Sequence, residues 1–320
     1  MRVGVVVIGR NEGARLVRGL TSLADGDWPV VYVDSGSTDD SVARARALGV
    51  KVVELDMDVP FTAARARNAG AAALPPDCDA IQFVDGDCSV AEGWIEIARA
   101  ALEGDAEIGM VTGWRREIAP ERSIYNAMAD AEWQRPAGRI DVCGGDFMVR
   151  RAVFDVVGGF DPTLIVSEDE EFCLRVGDAG HTILRLPETM TLHDADMTRF
   201  GQWWVRAVRT GHGFAEVGRR HPRHFRRERA RMWVYGGVLP VLLILSAAAG
   251  LWAAQMAVVA AYAVNWWRTA GGLEREGMAR GMARRQAGFL TLSKLPNMVG
   301  AVTYHIRRLR GIAPQLIEYK

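Results

Sequence analysis

Ala80-Ile81-Gln82-Phe83-Val84-Asp85-Gly86-Asp87 is an apolar run that ends in two carboxylates flanking a glycine. A short run of this kind, closed by a turn signal, reads as a buried strand over residues 80–85. Comparable runs cover residues 3–8, 30–34, 51–55 and 109–113. Between them lie Ala-, Arg- and Leu-rich stretches at 14–23, 41–48, 63–73 and 94–103, with Ser41 and Thr62 placed to cap two of them. Strand and helix in alternation predict an α/β class with a mostly parallel sheet. Ligands of such sheets bind beyond the carboxyl ends of the strands, which directs attention to residues 10–13, 34–39 and 85–87.

Asp85 and Asp87 are hard oxygen donors suited to Mg²⁺ or Mn²⁺, and the glycine between them lets both acids face one point. A plain turn is the competing reading. Asp34 closes the run Val31-Tyr32-Val33-Asp34 and opens the polar loop Ser35-Gly36-Ser37-Thr38-Asp39. An acid there accepts hydrogen bonds from a base or ribose, unless the segment is only a strand-to-helix turn capped by Ser37 or Asp39. In Arg65-Ala66-Arg67-Asn68-Ala69-Gly70, an arginine facing the crevice pairs with a diphosphate, but spacing does not separate Arg65 from Arg67.

Residues 141–186 hold Gly144-Gly145, Gly158-Gly159 and the acidic run Ser167-Glu168-Asp169-Glu170-Glu171. Glycine pairs beside acids suggest backbone packed close to a ligand. In a crevice, Glu168-Asp169 supplies a general base whose pKa the neighbouring carboxylates raise; on a surface the run is only a solvated face. His193 follows a last strand at 182–186. It is a candidate third metal ligand with Asp87 and Asp85, or else a structural histidine bonded to backbone.

The 320 residues suffice for a large α/β domain plus an accessory segment. Lys and Arg number 39 against 39 Asp and Glu, a balance that argues against a nucleic-acid binder and against a disordered chain. Acids dominate before Asp196, whereas residues 206–231 are rich in Arg and His, which points to an anionic surface nearby. Cys78, Cys88, Cys143 and Cys173 show neither CxxC pairing nor zinc-ligand spacing, so a reducing compartment fits. The first apolar run is interrupted by Asn11-Glu12 too soon for a signal peptide, and the catalytic part is expected in the cytoplasm.

Residues 232–267 contain no charged side chain, while one helix needs roughly 20 residues to cross a bilayer. Trp233, Tyr235, Trp266 and Trp267 stand at the ends, Pro240 and Gly250 interrupt the run, and arginines flank both sides (Arg227, Arg229, Arg231; Arg268, Arg275, Arg280). If positive charge marks the cytoplasmic side, both ends lie there, and a helical hairpin turning near Gly250 is predicted. A buried helical pair is the alternative. Residues 289–306, with Pro296 inside, read as amphipathic and as lying along the membrane surface or the hairpin. The expected layout is therefore a catalytic domain at 1–205, a basic linker at 206–231, the hairpin at 232–267 and amphipathic helices at 268–320.

Taken in order, residues 5–12, 33–39, 67–70 and 84–87, then Gly158-Gly159-Phe160-Asp161 and Glu168-Asp169, resemble the blocks of the family 2 glycosyltransferases over roughly residues 3–193. The resemblance implies the GT-A fold, a nucleotide-sugar donor and Mg²⁺ or Mn²⁺. It further implies that Asn11, Glu12, Asp34 and Arg67 lie near the nucleotide, that Asp85 and Glu168 contact the donor, that Asp87 binds metal, and that Asp169 is the base of a single, inverting displacement. Two positions depart from the family pattern. Ser35 stands where many members have a second aspartate, and Gly9-Arg10 lacks the proline or aromatic residue that often precedes the Asn-Glu pair.

With the hairpin, this reading implies a lipid-linked or saccharide acceptor at the cytoplasmic face of the plasma membrane, and it leaves a homo-oligomer open. Two rivals stand beside it. A sugar-phosphate nucleotidyltransferase needs a glycine-rich, basic phosphate loop after the first strand, of which residues 9–13 are a poor version. A catalytically silent, nucleotide-sugar-binding membrane scaffold has no need of Asp85, Asp87 and Asp169 together. No GxGxxG follows the first strand, which disfavours a dinucleotide dehydrogenase.

Overall fold

The run Val3–Gly9 forms strand β1 and is buried along nearly its whole length. Val3, Val5 and Val7 enter one apolar layer and Val6 and Ile8 another, so the strand reads as continuous hydrocarbon rather than as an alternating pattern. In this computed structural model, which describes residues 1–312, the chain divides into two units, Met1–Thr198 and Arg199–Lys320. The end of the expected 268–320 segment, residues 313–320, lies outside the described residues.

In the first unit, β1 is joined by β2 (Val30–Asp34), β3 (Lys51–Glu54), β4 (Ala80–Asp85), β5 (Cys88–Val90), β6 (Ile108–Glu117), β7 (Gly138–Ile140), β8 (Phe147–Arg150) and β9 (Thr182–His193). Their order is β3-β2-β1-β4-β8-β6-β9-β5, with β7 also paired to β9. The first four strands are parallel, β8 runs antiparallel between β4 and β6, β6 and β9 are parallel, and β5 and β7 oppose β9. The sheet is thus mixed but mostly parallel, as expected for an α/β class.

Helices α1 (Ala14–Thr21), α2 (Ser41–Ala47), α3 (Ala63–Ala73), α4 (Trp94–Gly104), α5 (Ile124–Trp133), α6 (Arg151–Val157) and α7 (Glu168–Asp178) complete the unit. Leu16, Leu20, Ala45, Trp94 and Leu102 cover one face of the sheet, and Ala64, Ala71, Phe154, Phe172 and Val176 the other. On the second face Phe160 stacks on Phe172 at 4.6 Å between centroids, which anchors α7 and the Gly159-Phe160 loop to the core.

Three strands escape the sequence pattern. β5, β7 and β8 are only three or four residues long, too short for periodicity to register. β6 and β9 also run further than the predicted 109–113 and 182–186, because they pair with each other through register shifts as far as Glu117 and His193.

The second unit is helical: α8 (Phe200–Arg220), α9 (Arg226–Met232), a π turn (Trp233–Val238), α10 (Leu239–Ala248), α11 (Trp252–Arg275), α12 (Arg280–Leu292) and α13 (Lys294–Leu309). Ala215, Met232, Met298, Ala301 and Tyr304 form its core, and Arg219 Nε donates to the Tyr304 hydroxyl at 2.7 Å. Residues 249–251 turn the chain between α10 and α11, with Gly250 at φ 66°. These two helices present hydrocarbon outward: Ile244 is 68 % exposed and Trp252 74 %. Among the described residues, the continuous helix Arg226–Ala248 is long and apolar enough to cross a membrane. The segment 289–306 is not one helix, since the chain breaks at Ser293; Pro296 falls in the first turn of α13, where its missing N–H costs no helical hydrogen bond.

Candidate active site

β4, β6 and β9 end at Asp85, Glu117 and His193, and the carboxyl ends of these strands build the site. Arg67, on α3 and 2 % exposed, reaches it from below. One guanidinium nitrogen donates to Asp85 Oδ1 at 2.7 Å and the other to Glu168 Oε1 at 2.6 Å, tying the end of β4 to the start of α7. Arg65 instead donates to the carbonyls of Asp56, Val59 and Pro60, so geometry separates the two arginines where spacing did not. Burial alone would lower the pKa of Arg67, but Asp85 and Glu168 hold it above its ordinary value. Burial would likewise raise Asp85, yet Arg67 and Arg115 keep its carboxyl well below the usual carboxylate range.

Gly144-Gly145 floors this network. A Cβ on Gly145 would lie 2.1 Å from Arg67 Nη2, and one on Gly144 would lie 3.9 Å from Asp169 Oδ2. Only glycine lets the backbone approach the Arg67 pair so closely. Asp169 follows Glu168 on α7 and accepts the Glu170 N–H at 2.8 Å. Burial first, then Glu168 and Glu170, push its carboxyl pKa up to about 7. Ser167, just before it, has φ 56°, a left-handed conformation that is uncommon for serine and concentrates at functional sites.

Two residues of this network carry no sequence signal. Arg115 on β6 donates to Asp85 Oδ2 at 3.1 Å and pairs with Asp146 Oδ2 at 2.8 Å. The fully buried Asp146 also accepts the Asp85 N–H at 2.9 Å and the Thr191 hydroxyl at 2.8 Å. Together Arg67 and Arg115 occupy both Asp85 oxygens, which fixes its rotamer. Gly86 has a different task from the one expected. Its N–H donates to the Ile8 carbonyl at 2.7 Å, and a Cβ there would come within 2.9 Å of that oxygen, so it permits close approach to β1 rather than convergence of both acids.

Asp87 points elsewhere, toward β9. Strand pairing sets Cys88 and Glu117 on either side of His193. His193 Nε2 lies 3.3 Å from Asp87 Oδ2, Nδ1 lies 3.4 Å from Glu117 Oε2, and the ring meets Trp133 edge-on at 4.7 Å. Donor atoms of Asp87, Cys88 and His193 lie within 4.8 Å of one another, and Asp85, expected as a ligand, is outside the group because two arginines hold it. Burial pushes the Cys88 thiol well up, so it stays protonated and is a poor ligand. Burial also lowers His193, favouring the neutral ring. In the tautomer that carries Nδ1–H toward Glu117, its Nε2 lone pair faces the Asp87 carboxylate. Two lone pairs held that close suit a shared cation, and the Glu117 contact is the usual outer support for a metal-bound imidazole. Carboxylate oxygen plus imidazole fits a divalent ion of the Mg²⁺ or Mn²⁺ kind, which characteristically keeps part of its coordination for water and phosphate.

The loops after β1 and β2 brace each other. The Asn11 N–H donates to Ser37 Oγ at 2.9 Å, its side-chain oxygen accepts the Thr38 N–H at 2.7 Å, and its φ is 55°. Asp34 accepts from the Tyr32 hydroxyl, the Ser37 hydroxyl and the N–H groups of Gly36 and Ser37. A carboxylate offers about four lone-pair positions, so its own loop fills them, and Asp34 shapes that loop rather than presenting a free acceptor. Glu12 is paired with Arg15 at 2.9 Å on the next turn. Asn68 exchanges two hydrogen bonds with the Phe160 backbone, docking the Gly158–Asp161 loop on α3.

Residues 4–158 match the family model described as glycosyl transferase family 2. The chain carries a family 2 glycosyltransferase domain. It is similar to the pre-mycofactocin glycosyltransferase of Mycobacterium tuberculosis, 27 % identical over 265 residues that cover 78 % of this chain and 53 % of that one. The chain thus spans about half the length of the mycobacterial relative. It is also similar to the glycosyltransferase AglE of Haloferax volcanii, 25 % identical over 253 residues, covering 74 % of this chain and 81 % of that one. The mannosyltransferase PcManGT from Pyrobaculum calidifontis, solved in complex with GDP-Man and Mn²⁺, superposes with a TM-score of 0.62 over 95 % of this chain and 87 % of its own, at 20 % identity. That likeness establishes the GT-A fold. In the family 2 domain the matched region ends at residue 158, before Asp169 and His193, so these two residues join the site through β9 and α7 rather than through the matched segment.

Proposed function

We propose that this protein is an inverting glycosyltransferase that moves a sugar from a nucleotide diphosphate to an acceptor hydroxyl beside a membrane. The observation that carries this reading is the meeting, over Gly144-Gly145, of an ionised Asp85 and an Asp169 poised near neutrality. Asp85, locked by Arg67 and Arg115, presents its remaining lone pairs to donor hydroxyls. Glu168 keeps Arg67 in place and is thereby spent as a positioning group. Asp169 accepts the proton of the acceptor hydroxyl as that oxygen attacks the anomeric carbon, and a raised pKa suits this task at neutral pH. A single displacement inverts the configuration. Asn11 and Asp34 shape the loops that border the nucleotide.

Asp87 and His193 would hold the Mg²⁺ or Mn²⁺, as the Mn²⁺-bound structural neighbour supports, and the ion supplies charge neutralisation for the departing diphosphate. The crevice gathers six carboxyl groups (Asp85, Asp87, Glu117, Asp146, Glu168 and Asp169) around two guanidiniums, an acid excess that favours a bound cation. The exposed apolar helices α10 and α11, with tryptophans and arginines at their common base, support insertion of the hairpin from the cytoplasmic face and a lipid-linked acceptor.

The test is a panel of nucleotide sugars incubated with the detergent-solubilised full chain and Mn²⁺. Release of nucleoside diphosphate from one donor is expected. In a parallel incubation with sugar phosphates and nucleoside triphosphates, release of pyrophosphate would replace the reading with a nucleotidyltransferase, and silence in both incubations would leave only a binding protein.

A further inference from the structure

At the charged end of the hairpin, inside the second unit, a groove of about 1020 Å³ opens between the π turn and the last turns of α11. Arg231, Tyr235, Asn265, Trp267, Arg268 and Thr269 line it. Arg231 is pre-oriented: its Nη2 donates to Asn265 Oδ1 at 3.1 Å and to Thr269 Oγ1 at 3.3 Å. Asn265, 6 % exposed, is itself fixed by donating to Thr291 Oγ1 at 3.0 Å. Among the described residues, Arg231 Nε and Nη1 and the whole Arg268 guanidinium have no protein partner.

The acids on the rim do not supply one. Glu274 faces Arg280 at 4.0 Å and Glu276 pairs with neither arginine among the described residues, while Arg275 folds back on the Gly271 carbonyl at 3.0 Å. The Lys294 carbonyl abuts Gly236 of the π turn, and burial and then Arg231 lower the pKa of its side chain to about 8. Tyr235 lies within the π turn, an irregularity that concentrates at functional sites.

Free guanidinium edges match phosphate oxygens, and Tyr and Trp side chains favour the headgroup level of a bilayer. We propose that this groove binds the phosphate of an anionic membrane lipid, held between Arg231 and Arg268. A lipid rather than free phosphate is the occupant, because the groove runs into hydrocarbon: Val264, 52 % exposed, and Trp267, 70 % exposed, continue from it along the hairpin and can receive acyl chains. The proposal rests on the reading that the hairpin lies in a bilayer.

The test pairs two measurements on the full chain: flotation with vesicles of phosphatidylcholine, with or without phosphatidylglycerol, and native mass spectrometry of lipid adducts from detergent. Wild type should retain one phosphatidylglycerol in preference to phosphatidylcholine. The double variant R231Q/R268Q should lose that adduct at least about tenfold, the loss of one net charge-assisted hydrogen bond. R226Q/R227Q, which removes the same charge from exposed positions outside the groove, should keep it. Equal adducts on wild type and R231Q/R268Q, with both still floating, would overturn the site alone. Displacement of the lipid by excess inorganic phosphate would overturn the lipid assignment. Failure of wild type to float with either vesicle would overturn the membrane reading and this site together.

Discussion

The crevice of the first unit and the hairpin of the second break the ordinary rule of globular proteins in opposite directions. Around Gly144-Gly145 the chain buries charge: Arg67, Asp146 and Glu168 are each no more than 5 % exposed. Along α10 and α11 it exposes hydrocarbon, with Leu245 at 59 % and Met256 at 58 %. Buried charge is tolerated only when paired, and each guanidinium in the crevice touches two carboxylates. Exposed hydrocarbon on this scale marks a surface that something else covers. The crevice is therefore complete in its pairing but short of positive charge, and the hairpin is complete in its helices but short of a neighbour. Each deficit fits the chemistry proposed for it, a cation with a diphosphate in one case and a lipid phase in the other.

The largest effect is expected where the crevice is most finely set. Asp169→Asn should reduce turnover by about 10²–10⁴, the usual worth of a general base, and leave donor binding nearly unchanged. In the wild type, kcat/KM should rise with pH through about 7, as Asp169 deprotonates, and then level. Stability should move the other way. A carboxyl whose folded pKa lies above its unfolded value binds more protons when folded, so stability falls as pH rises from the ordinary carboxylate range to about 7 and is flat beyond it. Asp169→Asn should remove that slope and raise the melting temperature by roughly a few degrees above neutral pH. Retained turnover, or a pH profile shared by wild type and variant, would take the base role from Asp169.

On the hairpin side of the comparison, Ile244→Asp and Val259→Asp place a carboxylate on outward-facing hydrocarbon. At the centre of a membrane helix such a residue costs about 2.5–3.5 kcal/mol, so each should weaken vesicle binding by roughly a hundredfold while donor hydrolysis in detergent persists. Flotation equal to wild type would mean that the helices pack on protein instead.

The two regions also differ in how much of them the sequence discloses. The hairpin is legible because its apolar composition extends over a long stretch, residues 232–267, unbroken by any charged side chain. The meeting of Asp85 with Glu168-Asp169 is partly legible, since each segment follows an apolar run or a glycine pair. Arg115, Glu117 and Asp146 are invisible for a physical reason. Their positions depend on β6 pairing with β9 through several register shifts, and on β8, a four-residue strand, crossing between β4 and β6. Nothing local in Trp114-Arg115-Arg116-Glu117 distinguishes the inward arginine from its neighbour, which turns to Asp130 instead. Asp34 shows the converse: its position after a strand invites a ligand role, while the loop that follows it takes up its lone pairs.

Glu117 offers the smallest and most discriminating test of the crevice. It touches no reacting group in the proposed mechanism, yet it faces His193 Nδ1 at 3.4 Å and accepts the Ala195 N–H at 3.1 Å and Asn126 Nδ2 at 3.3 Å. Every neighbour named is a donor, so Glu117→Gln sets an amide N–H₂ against at least one of them and loosens the imidazole that faces Asp87. Loss of such outer support typically weakens metal affinity by about 10–100-fold. Donor affinity measured by calorimetry across a Mn²⁺ titration should therefore shift to higher Mn²⁺, with affinity at saturating Mn²⁺ nearly restored. A merely structural defect would lower the melting temperature and donor affinity alike at every Mn²⁺ concentration. Unchanged Mn²⁺ dependence would mean that His193 is held for the fold and that Asp87 binds the ion with other partners.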